Sequence, residues 1–134
     1  MYHNTPSLVT GSRRLRRRGS NMNKVEAIIR PERLTAVKDA LAKAGFVGLN
    51  TIPVMGRGVQ RGITHQVRGG GSVEVDMLPK TKVELVVRNK DTEKAIAVII
   101  EHGSTGEIGD GKIFVIPVAE VIRVRTGERG EIVV

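Results

Sequence analysis

The stretch Lys82-Val83-Glu84-Leu85-Val86-Val87-Arg88-Asn89-Lys90-Asp91 decides the fold. Val83, Leu85 and Val87 alternate with Lys82 and Glu84, the period of two that marks a strand, and Val86 leaves the second face partly apolar. The period then changes. Asn89 or Asp91 is suited to cap a helix, Ala95, Ile96, Ile99 and Ile100 recur at helical spacing, and Gly103 ends the run. The same succession stands upstream. Val25-Glu26-Ala27-Ile28-Ile29 reads as a strand, and Ile28-Ile29-Arg30 precedes a helix much as Val86-Val87-Arg88 does. Pro31 suits a first helical position, and Leu34, Val37, Leu41 and Ala44 form one apolar stripe before Gly45 stops it. A strand follows each helix, over 49–55 and over Ile113-Phe114-Val115-Ile116-Pro117. Two βαβ units in tandem predict an α+β, ferredoxin-like βαββαβ sandwich whose helices cover one sheet face. The other face needs a cover of its own.

The 134 residues suit one domain, with 1–21 read as a disordered basic extension and 22–134 as the folded unit. The extension carries Arg13, Arg14, Arg16, Arg17 and Arg18 and no acid, so five of the eight excess positive charges sit there and +3 remains for the body. It has no apolar core long enough for a secretory signal, and as a transit peptide it is Ser-poor and lacks an amphipathic repeat. The absence of cysteine excludes a disulfide scaffold and any thiolate chemistry. No apolar run reaches the roughly 20 residues of a membrane span. Outside the extension the only aromatics are Phe46 and Phe114, too few for the stacking surfaces of a single-strand binder, so no nucleic acid is expected for the body.

The chemistry gathers in Thr105-Gly106-Glu107-Ile108-Gly109-Asp110-Gly111-Lys112 and in Ile122-Arg123-Val124-Arg125-Thr126-Gly127-Glu128. Glycines so spaced let main-chain N–H groups crowd around an anion, and Lys112 adds a cation. Arg123 and Arg125, two apart in a predicted strand, share one face, a geometry that fits a polyphosphate. Taken singly, the glycines also suit an ordinary helix-to-strand turn and the arginines a solvated face. The spacing from Gly106 to Gly111-Lys112 matches a P-loop, but Ile113 stands where a P-loop requires Ser or Thr, and a strand follows instead of a helix. The excursion 58–79 is too long for a hairpin turn; its composition predicts mobility, and loops of this length are usually functional or disordered. His65 within it has no zinc-like spacing to other ligands and reads as exposed; Ser72 reads as an ordinary solvated hydroxyl.

The pattern T-G-x-I-G-D-G-K-I-F-V followed by V-I-R-V-R-T-G-E closely resembles the PII family of nitrogen-regulatory signal-transduction proteins, and the resemblance runs from Met22 to about Glu128. It implies a homotrimer with sheets facing inward and a nucleotide site for ATP or ADP in each cleft between subunits. It assigns nucleotide contacts to Asn50, Gly58, Val59, Gln60, Val86, Gly109, Asp110, Gly111, Lys112, Arg123 and Arg125. It assigns 2-oxoglutarate to Arg30, Gly58, Gln60, Gly62, Lys80 and Gly109, with Mg²⁺ held by the Gln60 side-chain oxygen and the ATP phosphates. The excursion corresponds to the T-loop, the element that contacts targets. Those implied are an ammonium channel, glutamine synthetase, nitrogenase or another nitrogen-metabolism enzyme. The implied location is cytoplasmic, and peripheral at the membrane when bound to an ammonium channel.

The chain departs from the pattern in places. Glu107 stands where relatives commonly carry Lys, which removes a positive charge near the phosphates. Asn50 replaces a frequent Thr while keeping hydrogen-bonding capacity. Tyr2 is the only tyrosine, so the loop offers no tyrosyl acceptor for uridylylation. Two other functions are weighed. A nucleotide hydrolase is disfavoured because no hydroxyl follows Lys112 and no base is evident for an attacking water. A ferredoxin-like nucleic-acid module would rest on the arginine extension alone.

Overall fold

The structure is a computed structural model that describes residues 21–57 and 77–134, together with the backbone of 64–66 and 72–74. Four strands, β1 (Met22–Ile29), β2 (Asn50–Gly56), β5 (Leu78–Arg88) and β6 (Lys112–Pro117), form one antiparallel sheet in the order β2-β5-β1-β6. Helices α1 (Leu34–Lys43) and α2 (Thr92–Gly103), each introduced by one 3₁₀ turn, lie on a single face. This is the ferredoxin-like α+β arrangement that the duplicated pattern predicts.

Alternation builds the core. Val25, Ala27 and Ile29 of β1 and Val83, Leu85 and Val87 of β5 turn inward and are buried with Val37 and Leu41 of α1 and Ala95 and Ile99 of α2. Lys24, Glu26 and Ile28, with Lys82, Glu84 and Val86, point to the opposite face and are half-buried. Burying each core Val, Leu or Ile contributes about 1.5–3 kcal/mol. Gly103 belongs to this packing: a Cβ there would stand 3.4 Å from Val37 Cγ2 and 3.6 Å from Ile29 Cγ2. It is the last residue of α2, buried where helix meets sheet.

Several boundaries differ from the sequence expectation. β1 begins at Met22, because Asn23, a polar residue in a buried position, is satisfied: its Nδ2 donates to Asn89 Oδ1 and to Thr92 Oγ1, both at 3.0 Å. That bond engages Asn89, and neither Asn89 nor Asp91 makes the expected capping hydrogen bond. β5 starts at Leu78 and not at Lys82. Pro79 is tolerated because β1 ends opposite Thr81, leaving Pro79 paired only with Met55 of β2. The excursion therefore ends two residues earlier than expected. It also contains a short antiparallel pair, β3 (Thr64–Gln66) and β4 (Ser72–Glu74), which no periodicity in the sequence announces.

The predicted strand carrying Arg123 and Arg125 is absent from the described structure. Residues 122–129 form a tight reversal held by an isolated Ile122–Arg129 bridge. The Arg123 N–H donates to Glu128 O at 2.8 Å, and the Gly127 N–H donates to Arg123 O at 2.7 Å. Gly127 and Gly130, at φ +74° and +85°, supply the left-handed backbone that such a reversal needs. The two arginines share a turn, and the strand-face argument for them does not hold. No helix among the described residues is long and apolar enough to cross a membrane.

Candidate functional site

The 105–112 loop leaves the C-terminus of α2 and enters β6. Arg33 fixes its starting point by donating from Nε and Nη2 to His102 O, at 2.9 and 2.6 Å, where helix carbonyls lack intrahelical partners. Gly106, Gly109 and Gly111 all have positive φ, +86°, +102° and +99°. Gly111 is sterically constrained where Gly106 is not: a Cβ there would fall 1.6 Å from Ile28 O. The loop backbone thus lies directly on the end of β1, a contact that only glycine permits.

The Asp110 carboxylate closes the loop. Its Oδ2 accepts from the N–H groups of Thr105 and Gly106 at 2.7 and 2.9 Å, and its Oδ1 accepts from Thr105 Oγ1 at 2.5 Å and Arg30 Nε at 2.9 Å. The Thr105 hydroxyl, the Arg30 guanidinium and these main-chain donors hold its pKa well below the ordinary carboxylate range. Arg30 Nη2 also donates to Ile108 O at 2.7 Å, and Lys80 Nζ donates to Gly109 O at 2.5 Å. Burial, and then the nearby Arg30 charge, lower the Lys80 pKa. Two cations converge on a glycine loop, an arrangement chemically suited to an anion.

The sequence-derived residues fall into two groups. Arg30, Lys80, Gly109, Asp110, Gly111 and Lys112 meet at the end of the sheet where β1 finishes. Lys112 pairs with Ile28 there and, by that register, takes the sheet face away from the helices. Asn50 and Val86 line a separate hollow of about 340 Å³ with Gly48, Lys24 and Glu84, and Lys24 Nζ is 3.3 Å from Glu84 Oε2. The C-terminal turn belongs to the far end: the Val118 N–H donates to Met22 O, and Val121 and Val133 border a cavity with Arg88 and Phe46. On that turn Arg123 Nη1 bonds to Glu128 Oε1, while Arg125 is exposed and makes no ion pair among the described residues. Thr81 and Arg88 mark the two ends of the pairing between β1 and β5 and are seven residues apart, about 23 Å along a strand. Arg123 and Arg125 are therefore not brought to the glycine loop within one chain. Gly58, Val59, Gln60 and Gly62 lie outside the described residues, as do the side chains of His65 and Ser72.

Sequence reasoning gave Asp110 a main-chain role and passed over Thr105. The signal available was the spacing itself, a hydroxyl residue and an Asp five apart bracketing glycines, which suits side chain-to-backbone closure of a loop. Glu84 and Lys24 were also passed over. Alternating charges on a strand give no hint that they border a hollow.

The family model for nitrogen regulatory protein P-II matches residues 22–128. Nitrogen regulatory protein P-II 2 of Methanothermobacter thermautotrophicus is 49% identical over 110 residues, spanning 82% of this chain and 95% of its own length. Nitrogen regulatory protein P-II of Azospirillum brasilense is 50% identical over 109 residues, spanning 81% and 96%. The crystal structure of Arabidopsis thaliana PII bound to citrate aligns with a TM-score of 0.69 and 46% identity, covering 84% of this chain and 91% of that one. With sequence match and fold agreeing over nearly the whole described body, the chain belongs to the nitrogen regulatory protein P-II family.

Proposed function

We propose that this protein is a signal transducer that binds ATP or ADP and, together with Mg²⁺ and ATP, 2-oxoglutarate, and that it regulates nitrogen-metabolism targets through the 58–79 segment. The observation that carries the reading is the convergence of Arg30 and Lys80 on a loop containing three left-handed glycines. Such a loop offers main-chain donors to phosphate oxygens, and the two cations suit the carboxylates of a small dianion. The citrate-bound Arabidopsis relative supports a polycarboxylate as effector.

The remaining assignments follow from reach. A nucleotide touched both by the 109–112 backbone and by Arg123 and Arg125 has to lie between two copies of the chain, since one copy holds these groups at opposite ends of its sheet. This supports a homotrimer with intersubunit sites, each formed by the glycine loop of one subunit and the Asn50, Val86 and C-terminal-turn residues of the next. Asp110 is committed to Thr105, Gly106 and Arg30 and is not a free metal ligand. The family resemblance would give Mg²⁺ its oxygen donors from Gln60 and the bound phosphates, a donor set that fits the ion. When bound, Mg²⁺ supplies charge that joins phosphate to carboxylate. The protein's own part is positioning: Lys80 and the loop root at 58–62 meet different ligands differently, and those differences shift the conformers of the 58–79 segment toward one target or another. We place the protein in the cytoplasm, at the membrane surface when its target is a channel.

Titration calorimetry with ATP, ADP and 2-oxoglutarate, with and without Mg²⁺, tests the reading. Nucleotide binding, and 2-oxoglutarate binding that requires both Mg²⁺ and ATP, are expected. Binding of 2-oxoglutarate without nucleotide, or no nucleotide binding, would sink it. Steady phosphate release from ATP would point to the hydrolase instead.

A further inference from the structure

Arg30 uses two nitrogens of its guanidinium on the glycine loop, Nε donating to Asp110 Oδ1 at 2.9 Å and Nη2 to Ile108 O at 2.7 Å. Asp110 in turn binds both ends of that loop, through two main-chain N–H groups and the Thr105 hydroxyl at one end and its own position at the other. A segment with left-handed glycines at 106, 109 and 111 has little conformational preference of its own, so its shape has to be imposed by such bonds. Arg30 follows the last residue of β1, one of the two central strands of the sheet, with neighbours on both sides. The chain of contacts runs from the rigid sheet through Arg30 to Asp110, and from Asp110 to the peptides of Thr105 and Gly106.

We infer that Arg30 is a positioning residue for the nucleotide loop, acting through Asp110, in addition to any contact it makes with an effector carboxylate. This deepens the nucleotide-binding reading above and rests on it. It has a regulatory consequence: a carboxylate that draws the Arg30 guanidinium to itself does so in competition with Asp110, so effector binding and the shape of the phosphate loop are coupled through one side chain.

ADP titration without Mg²⁺ or 2-oxoglutarate isolates this role, because an Arg30 that served only the dicarboxylate would not affect ADP. The variants are Arg30→Gln, Arg30→Lys, Asp110→Asn and the double Arg30→Gln/Asp110→Asn, each checked for native far-UV circular dichroism. Arg30→Gln is expected to weaken ADP about tenfold, as loss of one charge-assisted bond at a partly exposed site does. Arg30→Lys should recover part of that loss, and the double variant should lose little more than the worse single one. Unchanged ADP affinity in Arg30→Gln, or fully additive losses in the double variant, overturns the inference. Hydrogen exchange of the Thr105 and Gly106 amides in protein without nucleotide gives an independent readout. Both should exchange faster in Arg30→Gln, and equal rates overturn the inference. If the native chain binds no ADP, the nucleotide reading fails, while the exchange rates still decide whether Arg30 holds the loop.

Discussion

Replacing Gly111 with alanine should do far more damage than the same change at Gly106, though both residues sit in the same loop with similar positive φ. At Gly106 a Cβ meets nothing within 4 Å, so the cost is confined to the left-handed backbone, about 1–2 kcal/mol. At Gly111 the added atom would lie 1.6 Å from Ile28 O and 2.7 Å from Ile28 C. Ordinary contact begins near 3.4 Å, so the loop and β1 must part by about 1.8 Å, which close-packed backbone cannot absorb locally. Ile28 is the register partner of Lys112, and the movement pulls apart the entry to the β1–β6 pairing. Overpacking of about 1–3 kcal/mol, added to the backbone cost and to weakened ladder bonds of about 1 kcal/mol each, gives about 3–6 kcal/mol. Against a typical domain stability of about 5–15 kcal/mol, that loss leaves a fold at the margin. The chain has no tryptophan, so guanidinium unfolding is followed by far-UV circular dichroism, at one fixed protein concentration because assembly contributes to stability. Equal midpoint shifts for the two variants would refute the close approach of the loop to β1.

Three other outcomes are expected. Arg123→Ala with Arg125→Ala should weaken ATP binding severely, at about 1.5–3 kcal/mol for each charge-assisted bond lost, while gel filtration shows an intact oligomer; unaltered ATP affinity would remove the C-terminal turn from the site. Gln60→Ala should abolish Mg²⁺- and ATP-dependent 2-oxoglutarate binding with little effect on ADP, and equal losses in paired titrations would make Gln60 a loop support rather than a metal ligand. The folded-state pKa of Lys80 lies below its ordinary 10.5, so the unfolded chain holds the extra proton between the two values, and Lys80's contribution to stability rises with pH across that window. A bound anion favours the charged amine, so 2-oxoglutarate binding should take up protons there and weaken as pH rises, in calorimetry across buffers of different ionisation enthalpy; Lys80→Gln should abolish that proton uptake, and a pH-independent affinity in the native chain would exclude Lys80 from the effector site.

Elements whose period runs unbroken were legible. Val25, Ala27 and Ile29 against Lys24 and Glu26, and Val37 with Leu41, give the sheet and helix faces that the structure buries. Where sequence reading failed, a local pattern had two physical solutions. Pro79 looks like a terminator, yet an edge position leaves its missing N–H without consequence, and β5 runs through it. Arg123-Val124-Arg125 alternates like a strand, yet Gly127 and Gly130 bring the chain back on itself within a few residues. Of the loop glycines, Gly106 and Gly111 read alike, and only the position of the Ile28 carbonyl shows which one cannot carry a side chain. Asp110 was found as a member of a motif. Its use as the clasp of the loop depends on Arg30, 80 positions away, and such long-range contacts are invisible to spacing.

The sheet face opposite the helices bears on the assembly proposed above. At its centre Lys24 lies 3.1 Å from Glu26 and 3.3 Å from Glu84, and Lys82 lies 3.8 Å from Glu26, two cations and two carboxylates that neutralise one another. In water such pairs contribute little. Taken out of water they avoid the severe penalty of lone charges, because each already has its partner. On either side the same face exposes apolar side chains at its edges, Ile52 on β2 at 38% and Phe114 and Ile116 on β6 at 48% and 42%. A neutral charged centre with apolar margins is poorly matched to permanent solvation and well matched to a like surface. Association through this face would bury it and allow the glycine loop of one subunit to meet the C-terminal turn of the next, which a single chain cannot do. On that proposal, one neighbour would supply both the cover missing from the sheet and the arginines missing from the loop.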